Sequence, residues 1–225
     1  MSTTRLVGLL GRPVSGSLSP QMQNAAFGAC GLDWSYMPID VGPDKFADVV
    51  RDLAAGGYVG ANVTAPHKLI AAALAEAEVP SANTLVFAEG RILGFSTDAA
   101  VLRGLPTERP VVLGDGGASV AFQAALPGAR VYARRGVWPP DVDGADLVVN
   151  ATSARDDVLV ELGPGQTLID LPYPETATAR AASEAGATVV AGLEVLVAQG
   201  AASFELWTGL PAPVEVMRRA VGLPA

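Results

Sequence analysis

The sequence predicts an α/β protein organised as two successive units, and three observations carry that prediction. Short apolar runs of strand length alternate with stretches whose apolar residues recur at helical spacing. Clusters of polar residues follow directly on strand-like runs, at 17–19 and 62–68, where parallel α/β units place their ligands. A polar stretch bracketed by prolines, 106–110, then divides the chain, and a glycine-rich turn follows the first strand beyond it.

Composition narrows the possibilities. With 225 residues, half of them hydrophobic, the chain has material for one large core or two smaller ones. A net charge of −8 argues against nucleic acid or an anionic membrane as the main partner, although a local basic patch can still bind a phosphate. No apolar run approaches the roughly 18 residues of a membrane span, and the N-terminus lacks the pattern of a signal peptide, so a cytoplasmic protein is expected. Cys30 is the only cysteine and His67 the only histidine. A zinc site of the usual kind is thereby nearly excluded, no metal is expected, and a serine hydrolase survives only with His67 as its base.

Residues 5–10 form the first strand, followed by a Gly/Pro/Ser loop. Ser19 and Pro20 read as N-cap and first residue of a helix that stops at Gly31. Hydroxyls at such a start suit a carboxylate or phosphate, or Ser19 simply caps. Residues 35–41 are a second strand, and Phe46, Val49, Val50 and Leu53 mark a helix. A Gly-containing apolar approach, 57–61, is the third strand. It ends in Asn62, Val63, Thr64, Ala65, Pro66, His67 and Lys68 before a helix expected over 69–78. Pro66 suits the first helical position. Lys68 then lies in a first turn, where the helix dipole disfavours a cation, so a carboxylate or an anionic substrate would explain it; the alternative is a surface lysine. Residues 85–88 and 92–95 form a hairpin, preceded by Asn83 and Thr84 and followed by Ser96, Thr97 and Asp98. Asp98 is either a helix cap or the partner that Lys68 needs.

Beyond the boundary, residues 111–113 form a strand leading into Gly114, Asp115, Gly116, Gly117 and Ala118, then a helix to Leu126 and a strand from Arg130 to Ala133. Strand, glycine turn, helix and strand in this order suit a dinucleotide, whose pyrophosphate meets backbone N–H groups at the helix start. Arg134 and Arg135 close the second strand where an acid would select NAD, which favours a 2′-phosphate and hence NADP; two solvated arginines are the alternative. Further strands are expected at 147–150 and 167–171, a helix at 176–185, a short strand at 189–190, a helix at 193–206 carrying Gln199, and a terminal helix around Met217 and Val221.

The sequence resembles the shikimate dehydrogenase family along nearly its whole length. The match rests on Ser17 to Pro20, Asn24, Asn62 to Thr64 with Pro66 to Lys68, Asn83 and Thr84, Thr97 and Asp98, the glycine turn, Asn150 to Thr152, Asp170, Leu171 and Tyr173, Leu196, Val197 and Gln199, and Leu206 to Gly209. The resemblance implies an N-terminal α/β substrate domain, 1–105, with residues 193–225 packing back onto it, and a C-terminal Rossmann-like NADP domain, 106–192, with a cleft between them. It implies Lys68 and Asp98 as the catalytic pair. It also implies Ser17, Ser19, Asn62, Thr64, Asn83, Tyr173 and Gln199 as substrate ligands, and Gly114, Gly116, Gly117, Ala118, Arg134, Arg135, Asn150, Thr152 and Gly192 as cofactor contacts. The implied reaction is hydride transfer between NADPH and the C3 ketone of 3-dehydroshikimate, in a monomer or homodimer.

The sequence also departs from the family pattern. Gly16 and Gln23 stand where the family usually has histidines, Ser96 where it has asparagine, Asp115 inside the glycine turn, and Ala133 where an asparagine precedes the 2′-phosphate arginine. The Gly-Met that usually follows the Asn-Ala-Thr motif is absent. Two segments are short, between Lys68 and Asn83 and between Arg135 and Asn150. A parallel connection needs about a dozen residues, usually a helix, and 136–146 contains Pro139 and Pro140 with no helical pattern. A helix, and a strand with it, is therefore expected to be missing beside the adenosine pocket. Alternatives within reach of these residues are a shikimate-type binding or regulatory protein that has lost productive cofactor binding, and a dehydrogenase for quinate or aminoshikimate.

Overall fold

The computed structural model describes residues 4–224. The chain divides into two compact units, one of residues up to Asp98 together with those from Leu196 onward, the other of residues Ala99–Val195.

In the first unit, strands β1 (Arg5–Gly11), β2 (Trp34–Asp40) and β3 (Gly60–Val63) are parallel and are followed by helices α1 (Ser19–Ala29), α2 (Phe46–Ala55) and α3 (Lys68–Leu74). A hairpin of β4 (Thr84–Ala88) and β5 (Arg91–Phe95) joins antiparallel, giving the order β2-β1-β3-β4-β5. Its turn places Glu89 and Gly90 at φ 53° and 75°, the left-handed pair a two-residue hairpin requires. Strand periodicity sorts the side chains by face. Ala61 and Val63 enter a core with Leu10, Phe46, Val50 and Leu53, on the side of α2 and α3. Gly60 and Asn62, alternating with them, belong to the opposite face. There α6 (Gly192–Thr208) lies close, because a Cβ on Gly60 would fall 2.5 Å from the indole nitrogen of Trp207. That nitrogen donates to the Leu85 carbonyl at 2.9 Å, and Phe204 stacks on Phe27 of α1. The terminal helix α7 (Val214–Ala220) completes this unit.

Three local expectations are corrected. Helix α3 begins at Lys68, two residues after Pro66, because a turn closed by His67 N–H donating to Thr64 O at 3.0 Å precedes it. It also ends at Leu74 and not at residue 78. Ala75 is extended, and the backbone of Glu76 pairs along the outer edge of β5, accepting from Gly94 and donating to Ile92. Covering an open sheet edge outweighs the helical pattern there. Ser19 is not an N-cap: α1 starts at Ser19 itself, and its amide donates to the Ser17 hydroxyl at 3.2 Å.

The second unit is a parallel sheet of order β10-β9-β8-β6-β7, from β6 (Pro110–Leu113), β7 (Arg130–Tyr132), β8 (Leu147–Asn150), β9 (Thr167–Asp170) and β10 (Thr188–Val190). Strands β6, β8 and β9 are buried throughout, as expected of a parallel sheet covered on both faces. One face packs against α5 (Ala177–Glu184) through Leu168, Ala179 and Ala182, the other against α4 (Gly117–Ala125) through Val112, Phe122 and Leu147. Strand β7 is the edge, and residues 133–146 cross from it to β8 with neither helix nor strand. The expected loss is thus realised in the fold. Val142 and Ala145 plug the core beneath the connection, and the Gln166 amide caps the Ala145 carbonyl at 3.1 Å. Among the described residues no helix is long and apolar enough to cross a membrane.

Candidate active site

In the first unit the functional residues collect at one edge of the sheet for a topological reason. β1 and β3 are parallel, so the loops after Gly11 and Val63 leave at the same end. β4 runs antiparallel with Thr84 opposite both Asn62 and Phe95, which brings Asn83 and residues 96–98 to that end as well. Lys68, the first residue of α3, donates to both oxygens of Asp98, at 2.7 and 2.6 Å, and the two side chains are only 13% and 9% exposed. The cation in a helix's first turn is therefore held by a buried carboxylate, and Asp98 is a partner rather than a solvated cap.

Asn83 ties this pair to its surroundings. Its amide donates to Asp98 Oδ1 at 3.1 Å, to the Thr97 hydroxyl at 2.9 Å and to Gln199 Oε1 at 3.4 Å, while its oxygen accepts from the Thr97 amide at 2.7 Å. Gln199 arrives from α6, with its own amide on the Leu196 carbonyl at 2.7 Å. Asn62 is fully engaged within the protein. It accepts from the Tyr36 hydroxyl at 2.8 Å and donates to Asn83 O, Thr84 Oγ1 and Ser203 Oγ at 3.0 to 3.1 Å.

Ser203 and Thr84 were not singled out from sequence as site residues, yet both are fully buried within this network. The Ser203 hydroxyl donates back to the Gln199 carbonyl at 2.9 Å and meets Thr84 at 2.8 Å and Thr97 at 3.1 Å. The signal for it was indirect: buried Asn62, Thr84 and Thr97 need partners, and the helix passing over them had to supply one.

Ser17 is half-buried and Ser19 buried, in the loop and first turn after β1. Thr64 lies over Gly11, where a Cβ would fall 2.2 Å from its methyl group, so glycine is required for Thr64 to lean across the end of β1. His67 is fully buried, stacked on Phe46 at 4.6 Å, with Nε2 donating to the Val41 carbonyl at 2.7 Å. A hydrolase base needs access to its substrate, so that use of His67 is overturned; it braces the turn before Lys68.

In the second unit all strands are parallel, and the turns after them leave at one end. Gly114, at φ 120°, could not carry a side chain, since a Cβ would come within 2.9 Å of the Ala151 carbonyl. Gly116 opens onto free space at the start of α4, Gly117 and Ala118 form its first turn, and the Ser119 hydroxyl secures the turn by donating to Gly114 O at 2.7 Å. A groove of about 720 Å³ runs from this turn to Arg134, Arg135 and Trp138. Asp115 lines this groove as well, with its carboxylate 3.9 Å from Arg135 Nε. A backbone turn open to an anion at one end and two guanidinium groups at the other fit a phosphorylated dinucleotide.

Asn150 and Thr152 are placed differently from the glycine turn. The Asn150 amide donates to Asp170 at 2.6 Å and its oxygen accepts from the Thr152 amide and hydroxyl, so Asn150 steadies the strand ends while Thr152 lines the groove. Burial pushes the Asp170 carboxyl above its ordinary range, against hydrogen bonds from Asn150 and Thr176. Gly192 opens α6 where a Cβ would meet the Pro172 carbonyl at 2.4 Å, so it serves a close backbone approach. Tyr173 is half-buried in the turn after β9, in the second unit.

Residues 9–85 match the shikimate dehydrogenase substrate binding domain and residues 192–221 the shikimate 5′-dehydrogenase C-terminal domain. A shikimate dehydrogenase (NADP(+)) of Anaeromyxobacter sp. strain Fw109-5 is 39% identical over 270 aligned positions, covering 98% of this chain and 97% of the relative. The chain belongs to the shikimate dehydrogenase family. A second family member, from Methanopyrus kandleri, is 39% identical over 97% of this chain and 95% of its own length. Among solved structures, the Thermus thermophilus shikimate 5-dehydrogenase in complex with NADP(H) and shikimate superposes with a TM-score of 0.83 at 31% identity, over 96% of this chain and 98% of the other. The Aquifex aeolicus shikimate dehydrogenase superposes with a TM-score of 0.87 at 29% identity, over 99% and 100%. An alignment of 270 positions against a chain of 225 residues leaves at least 45 positions with no counterpart here. The family fold is thus kept by a markedly shorter chain.

Proposed function

We infer that the protein is an NADP-dependent shikimate dehydrogenase that interconverts 3-dehydroshikimate and shikimate. The observation that carries this reading is the buried Lys68–Asp98 pair, held by Asn83 at the strand ends of a chain that shares the family's sequence over nearly its whole length.

NADPH supplies the hydride in the reducing direction. The protein's part is to bind, orient and move a proton. Asp98 holds and aims the Lys68 ammonium, and Lys68 Nζ gives a proton to the oxygen that gains charge as the C3 ketone is reduced. In the reverse direction the same amine takes the hydroxyl proton. Gln199 holds ring hydroxyls beside the pair, Asn83 steadies Asp98 and Gln199 with an amide spent on Thr97, Asp98 and Gln199, and Ser17, Ser19 and Thr64 receive the substrate carboxylate, with Tyr173 closing over the ring. Asn62 acts from beneath, because its amide is spent on Asn83, Thr84 and Ser203. The glycine turn at 114–118 receives the pyrophosphate, and Arg134 and Arg135 the 2′-phosphate. On this reading residues 1–105 with 193–225 make the substrate domain and 106–192 the cofactor domain.

The test is reduction of NADP, and separately NAD, by the purified protein with shikimate in excess, followed by the absorbance of the reduced nicotinamide. Turnover with NADP is expected. Silence with both cofactors, in a protein whose melting temperature rises with shikimate, would replace the enzyme by a binding protein. Turnover with quinate or aminoshikimate but not shikimate would change the substrate and keep the mechanism.

A further inference from the structure

We infer that Asp157 weakens the preference of the nucleotide groove for a 2′-phosphate, because it shares Arg134 with that group. The inference rests on the cofactor reading above and concerns how the groove tells NADP from NAD. Arg134 follows β7, Asp157 comes from the loop after β8, and Trp138 lies in the shortened connection; all three line the groove that begins at Gly114. Arg134 Nη2 donates to Asp157 Oδ2 at 3.0 Å, and its guanidinium carbon stands 5.6 Å from the centroid of the Trp138 ring.

The chemistry of the two nucleotides differs at one group. An acid at the ribose accepts a hydrogen bond from a 2′-hydroxyl, whereas an arginine binds a 2′-phosphate; here one groove offers both. A hydroxyl can donate to Asp157 while the ion pair stands. A phosphate uses the remaining N–H groups of Arg134, but it brings nearly two negative charges beside a carboxylate. The side chains of Arg134 and Asp157 are 62% and 66% exposed, so the pair is screened and exchangeable, and the effect is one of degree. With the connection between β7 and β8 pared down, Trp138 is the flat surface against which Arg134 is steadied.

The test compares calorimetric dissociation constants of adenosine 2′,5′-bisphosphate and adenosine 5′-monophosphate for the full-length protein. Asp157→Asn keeps an oxygen for Arg134 and removes the charge. It is expected to raise the preference for the 2′-phosphate roughly 3- to 10-fold, less at high salt, while Arg134→Gln brings the preference towards one. An unchanged preference in Asp157→Asn, with Arg134→Gln still collapsing it, would make Asp157 a bystander and overturn the inference. A fall in Asp157→Asn would overturn it too, since the carboxylate would then serve mainly to orient Arg134. No effect of Arg134→Gln, or no binding of either fragment, would remove the inference. The dehydrogenase reading is judged separately, by turnover of NADP with shikimate.

Discussion

The ammonium of Lys68 lies 2.7 and 2.6 Å from the two oxygens of Asp98, inside a site where neither side chain is more than 13% exposed. A buried ion pair is costly to assemble and justified by what it does, which here is to hold a proton donor at a fixed place. Lys68→Ala is therefore expected to lower kcat by about 10²- to 10⁴-fold, the range of general acid–base catalysis, while shikimate binding measured by calorimetry stays largely intact. Near wild-type turnover by this variant would show that another group moves the proton.

Ser203 is the hub beneath that pair. A hydroxyl has one proton and two acceptor sites; with its proton on the Gln199 carbonyl, Ser203 offers two acceptor sites to the three donors around it, Asn62, Thr84 and Thr97. A chain of contacts runs from Asn83 through the Thr97 hydroxyl to Ser203. Ser203→Ala leaves buried donors without an acceptor, at a cost of about 1–3 kcal/mol, or a fall in Tm of several degrees. Because Asn83 also reaches Asp98, kcat/KM for shikimate should fall with it, and a variant with unchanged Tm and unchanged kinetics would show that the network reorganises without loss.

The start of β8 gives a pH-dependent prediction. Burial pushes the Asp146 carboxyl up, but the backbone N–H groups of Arg109, of Glu108 and of Asp146 itself outweigh it and hold the group below its ordinary range. The contacts are 2.9 Å to Arg109 and 2.8 Å to Glu108. A depressed carboxyl stabilises the fold above its unfolded pKa of about 3.9, and that stability is lost as pH falls through the folded value. Asp146→Asn keeps an acceptor oxygen and gives up a charge at a solvent-screened site, so it should cost up to about 1 kcal/mol at neutral pH, with the difference from wild type shrinking in acid. Melting temperatures across a pH series check this, and a difference that persists unchanged in strong acid would refute it.

What could be read from the chain follows the physics of each signal. Strand ends carrying Asn62, Lys68, Gly114 and Arg134 were legible because polar residues after an apolar run have few structural uses. The missing helix and strand after Arg135 were legible because a parallel crossover has a minimum length, and β7 is indeed an edge. The end of α3 was misread since Ala75 and Ala77 fit a helix, whereas the backbone of Glu76 is claimed by β5. Ser203 was invisible in an apolar helical stretch, where one serine suggests nothing until its three buried neighbours are brought to it by the sheet register. The Asn150 amide is bonded to Asp170, its register partner on β9 twenty residues on, a contact made by strand pairing that residue spacing alone does not display.

Asp170 should show the opposite pH dependence to Asp146. It is 1% exposed at the end of β9, and burial raises its carboxyl above the ordinary range, with a contribution from the charge of Glu175, despite hydrogen bonds from Asn150 and from Thr176. A raised carboxyl binds its proton more tightly in the folded chain. Below the unfolded value both states are protonated and the effect is nil; between the unfolded and folded values only the folded state keeps the proton; above the folded value the buried charge exacts its full cost. Asp170→Asn retains an oxygen for the Asn150 amide and never ionises. Whatever constant offset the substitution brings, the stability of the variant relative to wild type should therefore rise as pH increases from about 3.9, then level off above the folded value. Denaturant unfolding of both proteins across this range measures the difference. A flat difference would mean that Asp170 ionises as freely in the folded protein as in the unfolded chain, and a difference that falls with pH would mean that its hydrogen bonds outweigh its burial.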